Sequence, residues 1–122
     1  MNPKKEYKKL INSFKYAIEG FISSFKTERN MKIHVLATIV VILLGIYVKL
    51  NFVEWCVIAI SIAVVIAGEL FNTAIETVVD MVSPEKNPKA KLAKDISAAA
   101  VLALAIGAAV TGFLIFIPKI LI

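Results

Sequence analysis

The chain has one cysteine, one histidine and one tryptophan among its 122 residues. A lone Cys56 excludes an intrachain disulfide, and no Cys/His spacing of the metal-binding kind occurs. Cys56 lies inside an apolar run and is expected to serve packing. There is no Gly-x-x-x-x-Gly-Lys-Ser/Thr loop, no glycine-rich nucleotide loop, no His-Arg-Asp kinase signature and no nucleophile elbow. Any nucleotide site must therefore be unconventional. Internal repeats and low-complexity tracts are missing. So is a small-residue cleavage site after the charged N-terminus, so no cleavable signal peptide is expected.

Charge is absent where it matters most. Residues 35–48, 55–68 and 96–118 carry none. The composition is 59% hydrophobic with a mean hydropathy of +0.82, above the ~45–50% apolar content of soluble domains. The net charge of +5 is unevenly placed. Eight of the fourteen Lys and Arg fall in residues 1–32, and four more lie between Lys86 and Lys94. This is the positive-inside pattern of a membrane protein rather than a nucleic-acid surface. It places the N-terminus and the 82–90 loop in the cytoplasm, and the 49–54 turn and the C-terminus outside.

The length predicts one domain, 1–122, of all-α membrane architecture. Residues 4–26 read as an amphipathic surface helix. Leu10, Phe14, Ile18, Phe21 and Phe25 recur at spacings of three and four, and Lys4, Lys5, Lys8, Lys9 and Lys15 crowd the other side. Residues 27–34 interrupt this pattern with polar groups. Within them, Glu28 on its own reads as a solvated interfacial residue and His34 as a hydrogen-bonded packing residue.

Three spans follow, at about 33–50, 53–81 and 90–118. Eighteen residues at 1.5 Å rise give roughly 27 Å, enough for the hydrocarbon layer. The short 49–54 turn makes the second span an antiparallel neighbour of the first, with Trp55 as its interfacial anchor. Pro84 and Pro88 mark the loop before the third span. That span is rich in small residues. Ala103/Gly107 and Ala108/Gly112 have the small-xxx-small spacing that lets helices approach closely. Three spans cannot enclose a wide cavity alone, so a homo-oligomer with sites between subunits is expected.

The chemistry gathers at the end of the second span. At about 100° per residue, Glu76 lies roughly 20° to one side of Glu69 and Asp80 roughly 20° to the other. Asn72 sits about 60° off that line. A carboxylate in hydrocarbon costs about 2.5–3.5 kcal/mol, which anchoring alone would not require. The topology brings Lys91, Lys94, Asp95 and Glu28 to the same depth. Carboxylates suit Mg²⁺, lysines suit phosphate, and a poorly solvated carboxylate suits a general base. These are the parts of phosphoryl transfer. From the residues alone, a small proton- or cation-coupled transporter and a structural pairing of the acids with Lys91 and Lys94 stay open beside a lipid-modifying enzyme.

The run Glu69-x-x-Asn72-x-Ala74-Ile75-Glu76-x-x-x-Asp80, followed by Ala93-Lys94-Asp95 and Ala99-Ala100-Val101, resembles the bacterial integral-membrane diacylglycerol kinase family. The likeness covers nearly the whole chain. Glu28-Arg29-Asn30-x-Lys32-Ile33-His34 looks like the Gram-positive branch, whose lipid substrate is mainly undecaprenol. The resemblance implies an ATP- and Mg²⁺-dependent lipid kinase in the bacterial cell membrane. It also implies a homotrimer, with active sites shared between subunits at the cytoplasmic boundary. Glu69 matches the base that takes the proton of the lipid hydroxyl, and Asn72 a polar residue beside it that fixes its orientation. Glu28 and Glu76 match the carboxylates that hold Mg²⁺ against the nucleotide. Lys94 and Asp95 match nucleotide-contacting positions, as do Tyr16 and, by position only, Glu85, Lys86 and Asn87. Lys9 stands where the diacylglycerol kinase branch has a basic residue that meets lipid. Ala98 departs from a lipid-contacting serine of that branch, which argues against diacylglycerol and is neutral for undecaprenol.

Overall fold

The computed structural model describes all 122 residues and consists of four helices: α1 (Pro3–Thr27), α2 (Arg29–Tyr47), α3 (Phe52–Val82) and α4 (Pro88–Leu121). The last three are each long and apolar enough to cross a membrane, as a multi-pass membrane protein requires.

α1 starts at Pro3, capped by the Asn2 side chain, which accepts from the Lys4 amide at 3.0 Å. It stops at one residue. Glu28 adopts an extended conformation (φ −104°, ψ 117°), closes α1 and opens α2. The expected polar interruption over 27–34 thus shrinks to Glu28. Arg29 to His34 are helical, because an α-helix tolerates a polar first turn where its amides are free anyway.

α2 ends in a paired-bond cap. The Leu50 amide donates to the Gly45 carbonyl at 3.1 Å and the Lys49 amide to that of Ile46 at 3.3 Å. Lys49 takes the left-handed conformation (φ 58°) that this cap demands. Leu50 folds back into a buried cluster with Ile58 and Phe116, against which Leu44 and Trp55 pack. Trp55 is therefore a packing residue as well as an end-of-span aromatic. Asn51 and Glu54 then form a reciprocal capping box, both bonds 2.9 Å, that starts α3. Lys119 of α4 reaches Glu54 at 2.9 Å and ties the far ends of α3 and α4 together.

The loop before α4 is shorter than 82–90. α3 runs to Val82, and Asn87 caps α4, accepting from the Lys89 amide at 2.8 Å. At its other end α4 continues through Pro118 to Leu121. α4 packs along α3 more extensively than any other pair does. Close approach comes from Gly68, where a Cβ would lie 2.5 Å from the Leu104 side chain. Gly107 and Gly112 have nothing within 4 Å of a Cβ position. The small face of α4 instead borders a cavity, and Cys56 is exposed on α3 rather than packed. Only 11 of the 122 residues are buried within one chain, so most apolar side chains face outward, toward lipid or other copies.

At Gly45 an added Cβ would lie 2.7 Å from the Trp55 ring and 2.9 Å from Leu50. Gly45→Val is expected to cost about 1–3 kcal/mol by overpacking, seen as a lower unfolding temperature in detergent. Gly20→Ala on the exposed surface helix, where a Cβ meets nothing within 4 Å, should not lower it.

Candidate active site

Four chain segments converge at the end of the bundle opposite the 48–51 turn. Ser24, near the end of α1, makes a 3.0 Å hydroxyl–hydroxyl bond to Thr73 of α3. Thr73 also donates to the Glu69 carbonyl at 3.0 Å. Its single proton is thereby used, so Ser24 is the donor of the first bond. This chain of hydroxyls docks the surface helix against α3 at the level of Glu69. Ser24 and the wholly enclosed Met31 are buried there.

Glu69 is the centre of this region. It has no solvent exposure, and neither of its carboxylate oxygens has a hydrogen-bond partner. Glu28 and Glu76 lie near enough for their charges to act on it. Both are half-buried, while Asp80, one turn beyond Glu76, is exposed. The common acidic face of α3 is thus graded from dry to wet along the helix.

The partners around Glu69 differ from the expected ones. The Asn72 amide donates to Glu76 at 3.3 Å and also lies near enough to Glu69 to act on its carboxylate, while Asn72 Oδ1 is buried without a partner. Asn72 thus steadies Glu76 while standing beside the residue at 69. The lysines form no ion pair with the inner acids either, although Lys94 lies near enough to Glu76 for their charges to act on each other. Lys94 pairs with Asp80, joining α4 to α3, and Lys91 pairs with Asp95 at 2.6 Å within α4. A purely structural pairing of Glu69 and Glu76 with Lys91 and Lys94 is thereby absent. From the first span a further polar side chain faces Glu69: His34, with Nε2 3.7 Å from Oε2. A single histidine in an otherwise apolar span gives no local signal of this. The one clue was that residues 34 and 69 fall at similar depth on antiparallel helices.

The remaining candidates lie further out. Tyr16 and Lys9 are exposed on α1, and Lys9 pairs with Glu6 at 3.6 Å. Glu85, Lys86 and Asn87 occupy the exposed loop between α3 and α4. The Asn87 side chain is engaged as the α4 cap, and the Glu85 carbonyl accepts from Ser83 at 3.2 Å.

The donor set at this end is all oxygen: the Glu28 and Glu76 carboxylates and the unpartnered Asn72 Oδ1. Such a set fits a hard cation like Mg²⁺, which takes one or two protein carboxylates and fills its shell with water and phosphate. No group of three or more His, Cys, Asp or Glu side chains forms a metal site by itself. Any such ion would depend on ligands from outside the chain.

Thr73→Val is expected to cost about 1–3 kcal/mol, by leaving the buried Ser24 hydroxyl unpartnered. α1 should then loosen, with faster tryptic cleavage at Lys26 and Arg29. An unchanged cleavage rate would mean that the hydroxyl chain does not hold the surface helix.

Comparison with known proteins bears on the same architecture. Residues 15–116 match the family described as Prokaryotic diacylglycerol kinase. An undecaprenol kinase of Bacillus subtilis is 38% identical over 115 residues, covering 94% of either chain. A diacylglycerol kinase of Synechocystis is also 38% identical, over 113 residues, covering 92% of this chain and 65% of that protein. A diacylglycerol kinase of Haemophilus influenzae is 35% identical over 108 residues, covering 88% of this chain and 92% of that protein. With three membrane-length helices, a docked surface helix and a buried carboxylate at their shared end, the chain belongs to the prokaryotic diacylglycerol kinase family, a family of lipid-phosphorylating membrane enzymes.

Proposed function

We propose that the protein transfers the γ-phosphoryl group of ATP to undecaprenol, acting as a homotrimer at the cytoplasmic face of the bacterial cell membrane. The observation that carries this reading is Glu69, fully enclosed with both oxygens free. A buried carboxylate without a partner is costly. It is also poorly solvated, and therefore a strong base toward a hydroxyl brought against it. In the proposed reaction Glu69 accepts the proton of the lipid hydroxyl. The hydroxyl oxygen forms a bond to the γ-phosphorus, the bond from that phosphorus to the β-bridging oxygen breaks, and ADP leaves with the electron pair.

Glu28 and Glu76 would hold Mg²⁺, and Asn72 would fix Glu76 for that task. When bound, the ion neutralises charge on the phosphates. Lys94 and Asp95 would meet the nucleotide, with Lys94 turning from Asp80 to phosphate. Tyr16 and the loop residues Glu85, Lys86 and Asn87 complete the nucleotide side, and Lys9 the lipid side. The trimer accounts for the chain's extensive outward apolar surface. It would also supply ligands that one chain lacks. The cytoplasmic orientation follows from the lysine-rich N-terminus and the loop around Lys86.

Undecaprenol is preferred because the similarity to the Bacillus undecaprenol kinase spans 94% of both chains. Ala98 also stands in place of a lipid-contacting serine. Diacylglycerol is the second reading, favoured by the equal identity to the Synechocystis enzyme.

The test is phosphate transfer from labelled ATP to each lipid in one detergent. The expected result is a higher kcat/KM for undecaprenol than for diacylglycerol. Glu69→Gln should lower kcat by about 10²–10⁴-fold, the usual worth of a general base, with helix content and oligomeric state unchanged. A fully active Glu69→Gln enzyme would end the reading. Reversed lipid preference would replace undecaprenol by diacylglycerol.

A further inference from the structure

A general base must do more than lie in a dry place. One of its oxygens has to be aimed at the hydroxyl, and a free carboxylate rotates. The groups able to restrain Glu69 are few, and most are engaged elsewhere. Asn72, on the same helix as Glu69, divides its amide between Glu76, to which it donates, and Glu69. The Thr73 hydroxyl donates to the Glu69 main-chain carbonyl, not to the side chain. Lys94 and Lys91 are held by Asp80 and Asp95. His34 of α2 remains, 3.7 Å from Oε2 and with its side chain only 18% exposed.

Its other surroundings give it room to move. His34 borders a cavity of about 200 Å³ between α2, α3 and α4, whose lining also includes Thr38, Ser61, Val65 and Ala108. The separation of 3.7 Å is too long for a hydrogen bond, which needs about 2.7–3.2 Å. Catalytic contacts are often long before substrate binds and shorten in the loaded complex. The cavity leaves the imidazole space for the shift of about half an ångström that would close the gap.

We propose that His34 is the positioning residue of Glu69: its Nε2–H donates to Oε2 and so turns Oε1 toward the lipid hydroxyl. This rests on the reading that Glu69 takes the hydroxyl proton. It adds a second orienting group, from the first span, to Asn72 on the helix of Glu69 itself. The imidazole is neutral in this role, with Nδ1 as its bare nitrogen. A neutral donor steadies the carboxylate without taking its charge away, unlike a lysine at the same place.

Two measurements test the proposal. The first is kinetic. Gln carries an amide N–H at about the reach of the imidazole Nε2, and Leu fills similar space without a donor. His34→Leu is expected to lower kcat by about 10²-fold, the cost of a misplaced reacting group. The KM values for ATP and lipid should stay near wild type. His34→Gln should recover most of kcat. Equal losses in the two variants, or full activity in His34→Leu, would overturn the proposal.

The second needs no altered residue at 34. His34 is the one histidine of the chain, so a ¹⁵N spectrum of imidazole-labelled protein in lipid reports it alone. The wild type should show an Nε2-protonated ring whose signal moves on Glu69→Gln. A ring protonated at Nδ1 alone, or one indifferent to that change, would overturn it too. Glu69→Gln assayed alongside separates the failures. If that variant is inactive while His34→Leu is fully active, only the role of His34 falls. If it is active, the role of Glu69 falls first.

Discussion

A carboxylate has been placed where no water and no counter-charge reach it, and the architecture around it follows from keeping it there. Glu69 on α3 is fully enclosed and unpartnered. Burial of such a group costs free energy of order 2.5–3.5 kcal/mol in a membrane helix, and the rest of the fold must supply that surplus. The neighbouring polar groups are arranged so as not to relieve it. Lys94 and Lys91 are the closest candidates by sequence for neutralising the acidic face. They are bound instead to Asp80 and Asp95, toward the wet end of the helices. Had either reached Glu69, its charge would be offset and the proton-accepting role proposed for it weakened.

The two ends of the bundle divide the work. At the far end every device is a restraint. The paired-bond cap at Gly45–Leu50, the capping box at Asn51–Glu54, the Lys119–Glu54 bridge and the Leu50, Ile58 and Phe116 cluster fix the helices against one another. At the acidic end the restraints are sparse and polar. The Ser24–Thr73–Glu69 carbonyl chain secures backbone and surface helix while leaving the Glu69 side chain free. Rigid anchoring at one end lets the other hold buried polar atoms without satisfying them.

Much of this was legible before any coordinates. Four helices, their order, the amphipathic first helix and the common face of Glu69, Glu76 and Asp80 follow from periodicity and charge placement. These properties are local, set within a few turns. What was not legible depends on how one helix is rotated against another. Asn72 lies close to both Glu69 and Glu76 on the helical wheel, and only packing sends its amide to Glu76. His34 meets Glu69 across 35 positions of chain. Gly107 and Gly112 have the spacing of a helix–helix contact yet meet nothing within the chain, whereas Gly68, outside that pattern, is the one pressed against Leu104. Small residues permit close approach without saying which helix will make it. Glu28 is a different case. A polar stretch reads as a break, but an extended conformation at a single residue is enough to end one helix and start the next.

α4 has two unlike sides: Gly68 receives its Leu104, while Gly107 and Gly112 lie bare. With so few residues buried in one chain, the apolar exterior is far larger than a protein of this size would keep exposed to water. Lipid can cover bulky side chains such as Phe113 and Leu114, but bare glycines give lipid little to pack against and suit a neighbouring helix better. In the proposed trimer the same association would bring another chain's polar groups toward Glu28 and Glu76, whose carboxylates cannot form a complete metal site alone. Packing and chemistry would then both be served by the same association. A chain that satisfied all its own polar atoms would have no use for one.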